Sequence, residues 1–139
     1  MEERYHQLDH TADVAFEVRG KTLKNLFENA AYALYEFMFS KEEVFPEITV
    51  DVEITGIDTE DLLIRWLNEL IFISEMDELV FSEFRIVQLR NNHVAAEASG
   101  ERYKPDKHGS CNQVKAATYH NIAIQKDDDG FRSTIVFDV

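Results

Sequence analysis

His10-Thr11-Ala12-Asp13-Val14-Ala15-Phe16-Glu17-Val18 is the stretch on which the fold turns, because a polar cluster runs directly into an alternating apolar segment. In an extended chain Val14, Phe16 and Val18 fall on one side, and Asp13, Ala15 and Glu17 on the other. The spacing predicts a strand over 14–18, with Asp13 at its mouth on the face turned from the core. Asp9, His10 and Asp13 bring two carboxylates and an imidazole into one short run. That donor set makes half of a metal site, and it equally makes an ordinary polar turn.

Working outward, Gly20 breaks the alternation and Thr22 is a candidate N-cap. Leu23, Leu26, Phe27, Ala30, Ala31, Leu34, Phe37 and Met38 then recur at helical spacing, which predicts an amphipathic helix to about Phe39. Ile48, Val50, Val52 and Ile54 alternate with polar residues, a half-buried strand ended by Gly56. Asp58 or Thr59 caps a second helix reaching about Glu75, with Glu60 and Asp61 in the first turn, where the macrodipole favours acids. Leu62, Leu63, Trp66, Leu67, Leu70, Ile71, Phe72 and Ile73 cover more than half of its circumference. The second helix is therefore expected to be the more deeply buried, and both to spend their apolar faces on the core.

Leu79 to Leu89 and Val94 to Gly100 read as strands joined by Asn91-Asn92, a pair that accepts the positive φ values of a two-residue hairpin. Arg102 to Asn112 is a polar loop. Val114 to Gln125 reads as one strand, with Ile122 and Ile124 on its apolar side. Asp127-Asp128-Asp129-Gly130 is a turn before a final strand, Phe131 to Val139. A calcium loop is disfavoured there, since the spaced oxygen ligands and closing Glu are missing. The order is β-α-β-α-β-β-β-β, without linkers, in a single domain of 139 residues. About six strands and two helices predict an α+β fold: a two-layer sandwich with both helices on one face of a mixed sheet.

Composition narrows the function. Twenty-seven acidic residues against 14 basic give a formal net charge of -13. Such a surface repels phosphate backbones and favours a cation or a basic protein face, so no direct nucleic-acid binding is expected. No apolar run approaches the roughly 18 to 20 residues of a membrane span. The N-terminus has no secretory signal, and the lone Cys111 excludes an internal disulfide. A cytoplasmic, monomeric protein is expected.

Two further stretches carry candidate chemistry. Lys115-Ala116-Ala117-Thr118-Tyr119-His120 places a Lys inside a predicted strand, where Lys is disfavoured. It either meets a carboxylate or phosphate, or is solvated on an open face. His120 falls in apolar register and reads as a hydrogen-bonded core histidine. At the end of the sequence, Asp138 stands beside the α-carboxylate of Val139. Two hard oxygen donors suit Mg²⁺ or Ca²⁺ better than Zn²⁺, unless they form only a frayed acidic end.

Taken together, His10-Thr11-Ala12-Asp13, Gly20-Lys21-Thr22-Leu23 with Leu26-Phe27, Leu62-Leu63 with Trp66-Leu67-Asn68-Glu69-Leu70, Lys115 to His120, and Asp138-Val139 resemble the archease family, in order and over nearly the whole chain. The resemblance implies an α+β sandwich and a non-catalytic activator of the RtcB-type tRNA-splicing RNA ligase. Such an activator promotes guanylylation of the ligase's histidine, permits multiple turnover and broadens its nucleotide use. It further implies that Asp13 and Asp138 are metal-site positions, with Val139 completing the coordination of Ca²⁺ or Mg²⁺. Lys115 matches the family's functional lysine; His10 is placed with it as partner-facing, as a residue that orients the loop leading to Asp13. Gln113 departs from the acidic residue common at that position and inherits no role. The competing readings are a stand-alone metal-dependent hydrolase and a chaperone-like binding module.

Overall fold

The alternation at Val14 and the helical spacing after Leu23 both appear in a computed structural model, which describes residues 4–8, 13–39, 43–109 and 112–139. The elements are β1 (Tyr5–Leu8), β2 (Val14–Gly20), α1 (Leu23–Met38), β3 (Ile48–Thr55), α2 (Thr59–Asp77), β4 (Leu79–Arg90), β5 (His93–Arg102), α3 (Pro105–His108), β6 (Ala116–Ala117), β7 (Ile124–Asp127) and β8 (Gly130–Asp138). Both expected caps form. Thr22 Oγ1 accepts from the Asn25 N–H at 3.1 Å, and Asp58 Oδ1 from the Asp61 N–H at 2.8 Å. Asn91 and Asn92 take φ values of 54° and 58°, closing the β4–β5 hairpin as their chemistry allows.

The α+β class holds, but the layering differs from the single mixed sheet expected. The strands form two sheets, and every pairing is antiparallel. One sheet has the order β1-β2-β8-β6, with β7 also paired to β8; the other has the order β3-β5-β4. Neither helix lies on one outer face. α1 packs on β2 of the first sheet and on β4 of the second, while α2 packs on β3, β4 and β5 and also on β6. Aromatic rings show both contacts: Phe16 of β2 meets Phe37 of α1 edge-on at 5.6 Å, and Tyr35 of α1 meets Phe81 of β4 at 5.7 Å. The helices are tied to each other by Trp66 Nε1, which donates to the Phe27 carbonyl at 3.0 Å, and by Tyr35 Oη, which donates to the Leu70 carbonyl at 2.9 Å. A period-2 pattern assigns faces; it does not say which strands share a ladder.

Three local differences matter later. The strand expected over Val114 to Gln125 is broken, leaving β6, a turn and β7. The polar loop contains the one-turn α3, whose His108 is fully buried with Nε2 3.1 Å from Glu101 Oε1. Phe72, expected on the covered side of α2, is 56% exposed. Among the described residues, no helix is long and apolar enough to cross a membrane.

Candidate functional site

The register of β2 against β8 brings the two ends of the sequence together. Val14 pairs with Phe137, and Ala15 with Val136. Asp13 is a bend residue one position before β2, and Asp138 follows Phe137 at the end of β8, so the two acids lie just beyond the last pair of the ladder. Asp138 shares a face with Val136, as alternation requires. Directly opposed cross-strand positions hold their Cβ atoms roughly 4.5 to 5.5 Å apart, and the two acids follow the last such pair. On the other side of β8, Ala116 pairs with Asp138, and the Lys115 N–H donates to the Asp138 carbonyl at 2.8 Å. Asp13, Lys115 and Asp138, far apart in sequence, thus meet at one end of β8. Asp13 is half-buried; Lys115, Asp138 and Val139 are exposed. His10, Asp9 and Cys111 lie outside the described residues.

The donor set is all hard oxygen, which fits Mg²⁺ or Ca²⁺ and not a thiolate- or imidazole-seeking metal. It is also short. Among the described residues no group of three or more His, Cys, Asp or Glu side chains is placed to hold a metal ion. A cation at Asp13 and Asp138 would draw its remaining ligands from water or from another molecule.

The segment carrying Lys115 is positioned by α2. Asn68 Oδ1 accepts from the Ala117 N–H at 2.8 Å, and Asn68 Nδ2 donates to the Ala117 carbonyl at 3.1 Å. The amide side chain occupies the edge that another strand would take. Beyond Ala117 the chain leaves the sheet. The Thr118 N–H and hydroxyl both donate to the Val136 carbonyl, and Tyr119 to Ile122 form a turn with Asn121 at φ 51°. Tyr119 Oη donates to Asp61 Oδ1 at 2.6 Å. The buried Asp61 also accepts from the Ile57 N–H at 2.9 Å and from Arg65 Nε at 2.8 Å. The phenol's hydrogen bond, then the Ile57 N–H, hold the Asp61 carboxyl below its ordinary range, and the same bond raises the Tyr119 phenol. Glu60 Oε2 accepts from the Ile124 N–H at 3.2 Å. Glu60, Asp61 and Asn68 therefore hold the break from one side.

Sequence reasoning missed all three as site residues. Glu60 and Asp61 read as dipole-compensating acids, and Asn68 entered only as part of the Trp66-Leu67-Asn68-Glu69-Leu70 stretch. Asn68 carried the only cue, an amide set between Trp66-Leu67 and Leu70 where solvent-facing charge is usual. His120 is exposed and is not the core histidine expected. The turn at Asn121 carries it away from the apolar register that alternation assigns.

Comparison with known proteins agrees with the fold. The model of the Archease protein family (MTH1598/TM1083) matches residues 5–139. Protein archease of Methanosarcina acetivorans is 39% identical over 140 residues, covering 98% of this chain and 96% of that protein. Protein archease of Sulfolobus acidocaldarius is 34% identical over 137 residues, covering 98% and 99%. The solution structure of protein 1598 of Methanobacterium thermoautotrophicum superposes with a TM-score of 0.84 at 33% identity, covering 98% and 99%. The crystal structure of an archease from Thermotoga maritima, described as a possible chaperone, shares the fold with a TM-score of 0.64 at 21% identity. Over nearly its whole length, then, the chain belongs to the archease family.

Proposed function

We propose that the protein is a non-catalytic cofactor of an RtcB-type tRNA-splicing RNA ligase, promoting its guanylylation and multiple turnover through a divalent ion held by Asp13 and Asp138. The observation that supports this reading is the β2–β8–β6 register, whose pairs Val14–Phe137 and Ala116–Asp138 leave Asp13 and Lys115 each one residue from a paired position near the end of β8. The Val139 α-carboxylate is the third oxygen group the reading enlists. When bound, Ca²⁺ or Mg²⁺ would offset the carboxylate charge and give a phosphate oxygen of the ligase's nucleotide a cationic contact. Lys115, exposed and without an ion-pair partner among the described residues, is free to extend toward the same nucleotide. The net charge of -13 suits a basic ligase face and disfavours direct RNA contact.

The test is ligation by the cognate purified ligase with and without this protein. Wild type should convert single-turnover ligation to multiple turnover, and should show no reaction of its own with Mg²⁺, Mn²⁺ or Ca²⁺. Asp13→Asn and Asp138→Asn should each reduce both Ca²⁺ affinity, read by calorimetry, and activation by at least about tenfold. Full activation by both variants would remove the metal from the reading; no stimulation by wild type would remove the ligase.

A further inference from the structure

α2 has an outer flank that the core does not use. Phe72 is 56% exposed and Met76 67%, and four residues apart they stack on the same side of the helix. Arg65 and Glu69 continue that flank toward the N-terminus. Arg65 is already paired with Asp61 at 2.8 Å. From Trp66 to Phe84 the sequence has no Lys, Arg or His, but has Glu69, Glu75, Asp77, Glu78 and Glu83. Glu75, Asp77 and Glu78 are exposed. One cation reaches the far end from outside: Arg102 Nη1 donates to the Asp77 carbonyl at 3.4 Å. Two apolar side chains thus stand in an anionic surround. The flank adjoins the candidate site, since Asn68, one turn before Phe72, holds Ala117, and Arg65 and Glu69 share a surface cavity of about 450 Å³ with Tyr119.

The charge selects the occupant. A second copy would set the same carboxylates against each other, with a net charge of -13 on each chain. A nucleic acid would meet mostly carboxylates, with the nearby Arg65 already paired to Asp61 and Arg102 turned to the Asp77 carbonyl. A protein helix with apolar side chains between Lys and Arg meets both demands: it covers Phe72 and Met76 and pairs with the surrounding acids. We propose that Phe72 and Met76, ringed by Glu69, Glu75 and Glu78, dock a basic amphipathic helix of the partner protein beside the Lys115–Tyr119 segment. Only the naming of that partner as an RNA ligase rests on the function proposed above.

Two measurements decide it. In the first, the ¹⁵N-labelled protein is titrated with a synthetic helical Leu/Lys peptide and with its Ser/Lys counterpart. Shifts should centre on residues 69–78, with the Leu/Lys peptide bound at least about tenfold more tightly. The double variant Phe72→Glu, Met76→Glu should lose that preference while keeping the wild-type Tm and Ca²⁺ affinity, because both side chains are exposed. Equal affinity for the two peptides, or shifts centred on Asp51 and Glu53 of β3, overturns the proposal. So does a dimer in sedimentation that the double variant abolishes. In the second, the double variant should need at least about tenfold more protein for half-maximal ligase activation, with the saturated rate kept. Unchanged half-saturation, with wild type active, overturns the docking site; a ligase deaf to wild type overturns the proposed function and leaves the peptide titration to decide the surface.

Discussion

Asn68 substitutes for a missing strand. Its amide satisfies the N–H and the carbonyl of Ala117, a residue 4% exposed, where the sheet would otherwise end on unpaired backbone groups. Asn68→Ala leaves both groups without a partner, and the cost should be about 1 to 3 kcal/mol in urea unfolding. Amide exchange at Ala117 should accelerate more than at Ile135 in the middle of β8. Asn68→Asp keeps the acceptor and loses the donor, and should fall between. Asp13, Lys115 and Asp138 stand out in the sequence because each is a charged residue placed against an apolar alternation. Asn68, Asp61 and Glu60 do not. Their partners are Ala117, Tyr119 and Ile124, separated from them by 49, 58 and 64 residues, and no local pattern encodes a bond of that span.

At the scale of elements, the periodic segments declared themselves and the interrupted one did not. The helix expected from Leu23 to about Phe39 is Leu23–Met38, and Asp58 caps the second as its chemistry predicts. The strand expected over Val114 to Gln125 failed because alternation is blind to a side chain that competes for the ladder. Asn68 takes the outer edge at Ala117, and Asn121 tolerates the left-handed backbone of the turn that follows. Phe72 failed in the opposite sense. An apolar residue on a richly apolar helix reads as core, yet α2 has neighbours on only part of its circumference. The β4–β5 pairing is tighter than its sequence suggests. A Cβ on Gly100 would lie 1.9 Å from the Val80 carbonyl oxygen and 2.7 Å from the Phe81 Cα, both backbone atoms that cannot step aside. Gly100→Ala should therefore force the hairpin apart and destabilise by at least about 3 kcal/mol, seen as a fall in Tm or as failure to fold.

At the scale of the whole molecule, charge and topology pull apart. The net charge of -13 sits on a fold whose two sheets must close around α1, so self-repulsion works against compaction. Raising NaCl from about 10 mM to about 500 mM should raise the Tm, most of the gain coming as the screening length falls below the spacing of surface carboxylates. The α+β class was readable from element order; the nesting of one sheet inside the other was not. The β3-β5-β4 sheet comes from the continuous run 48–102, whereas the other joins strands from residues 5–20 to strands from 116–138. Its central strand, β8, follows all the other strands in sequence order. Until it pairs, β1 and β2 lack their main partner, while the inner sheet can already pair. The β3-β5-β4 sheet is complete within residues 48–102, whereas β2 finds its partner β8 only across that whole span. A cut between β5 and β6 therefore leaves one sheet intact and strips the other of its centre, so the two sheets differ in how much of the chain each needs before it can close.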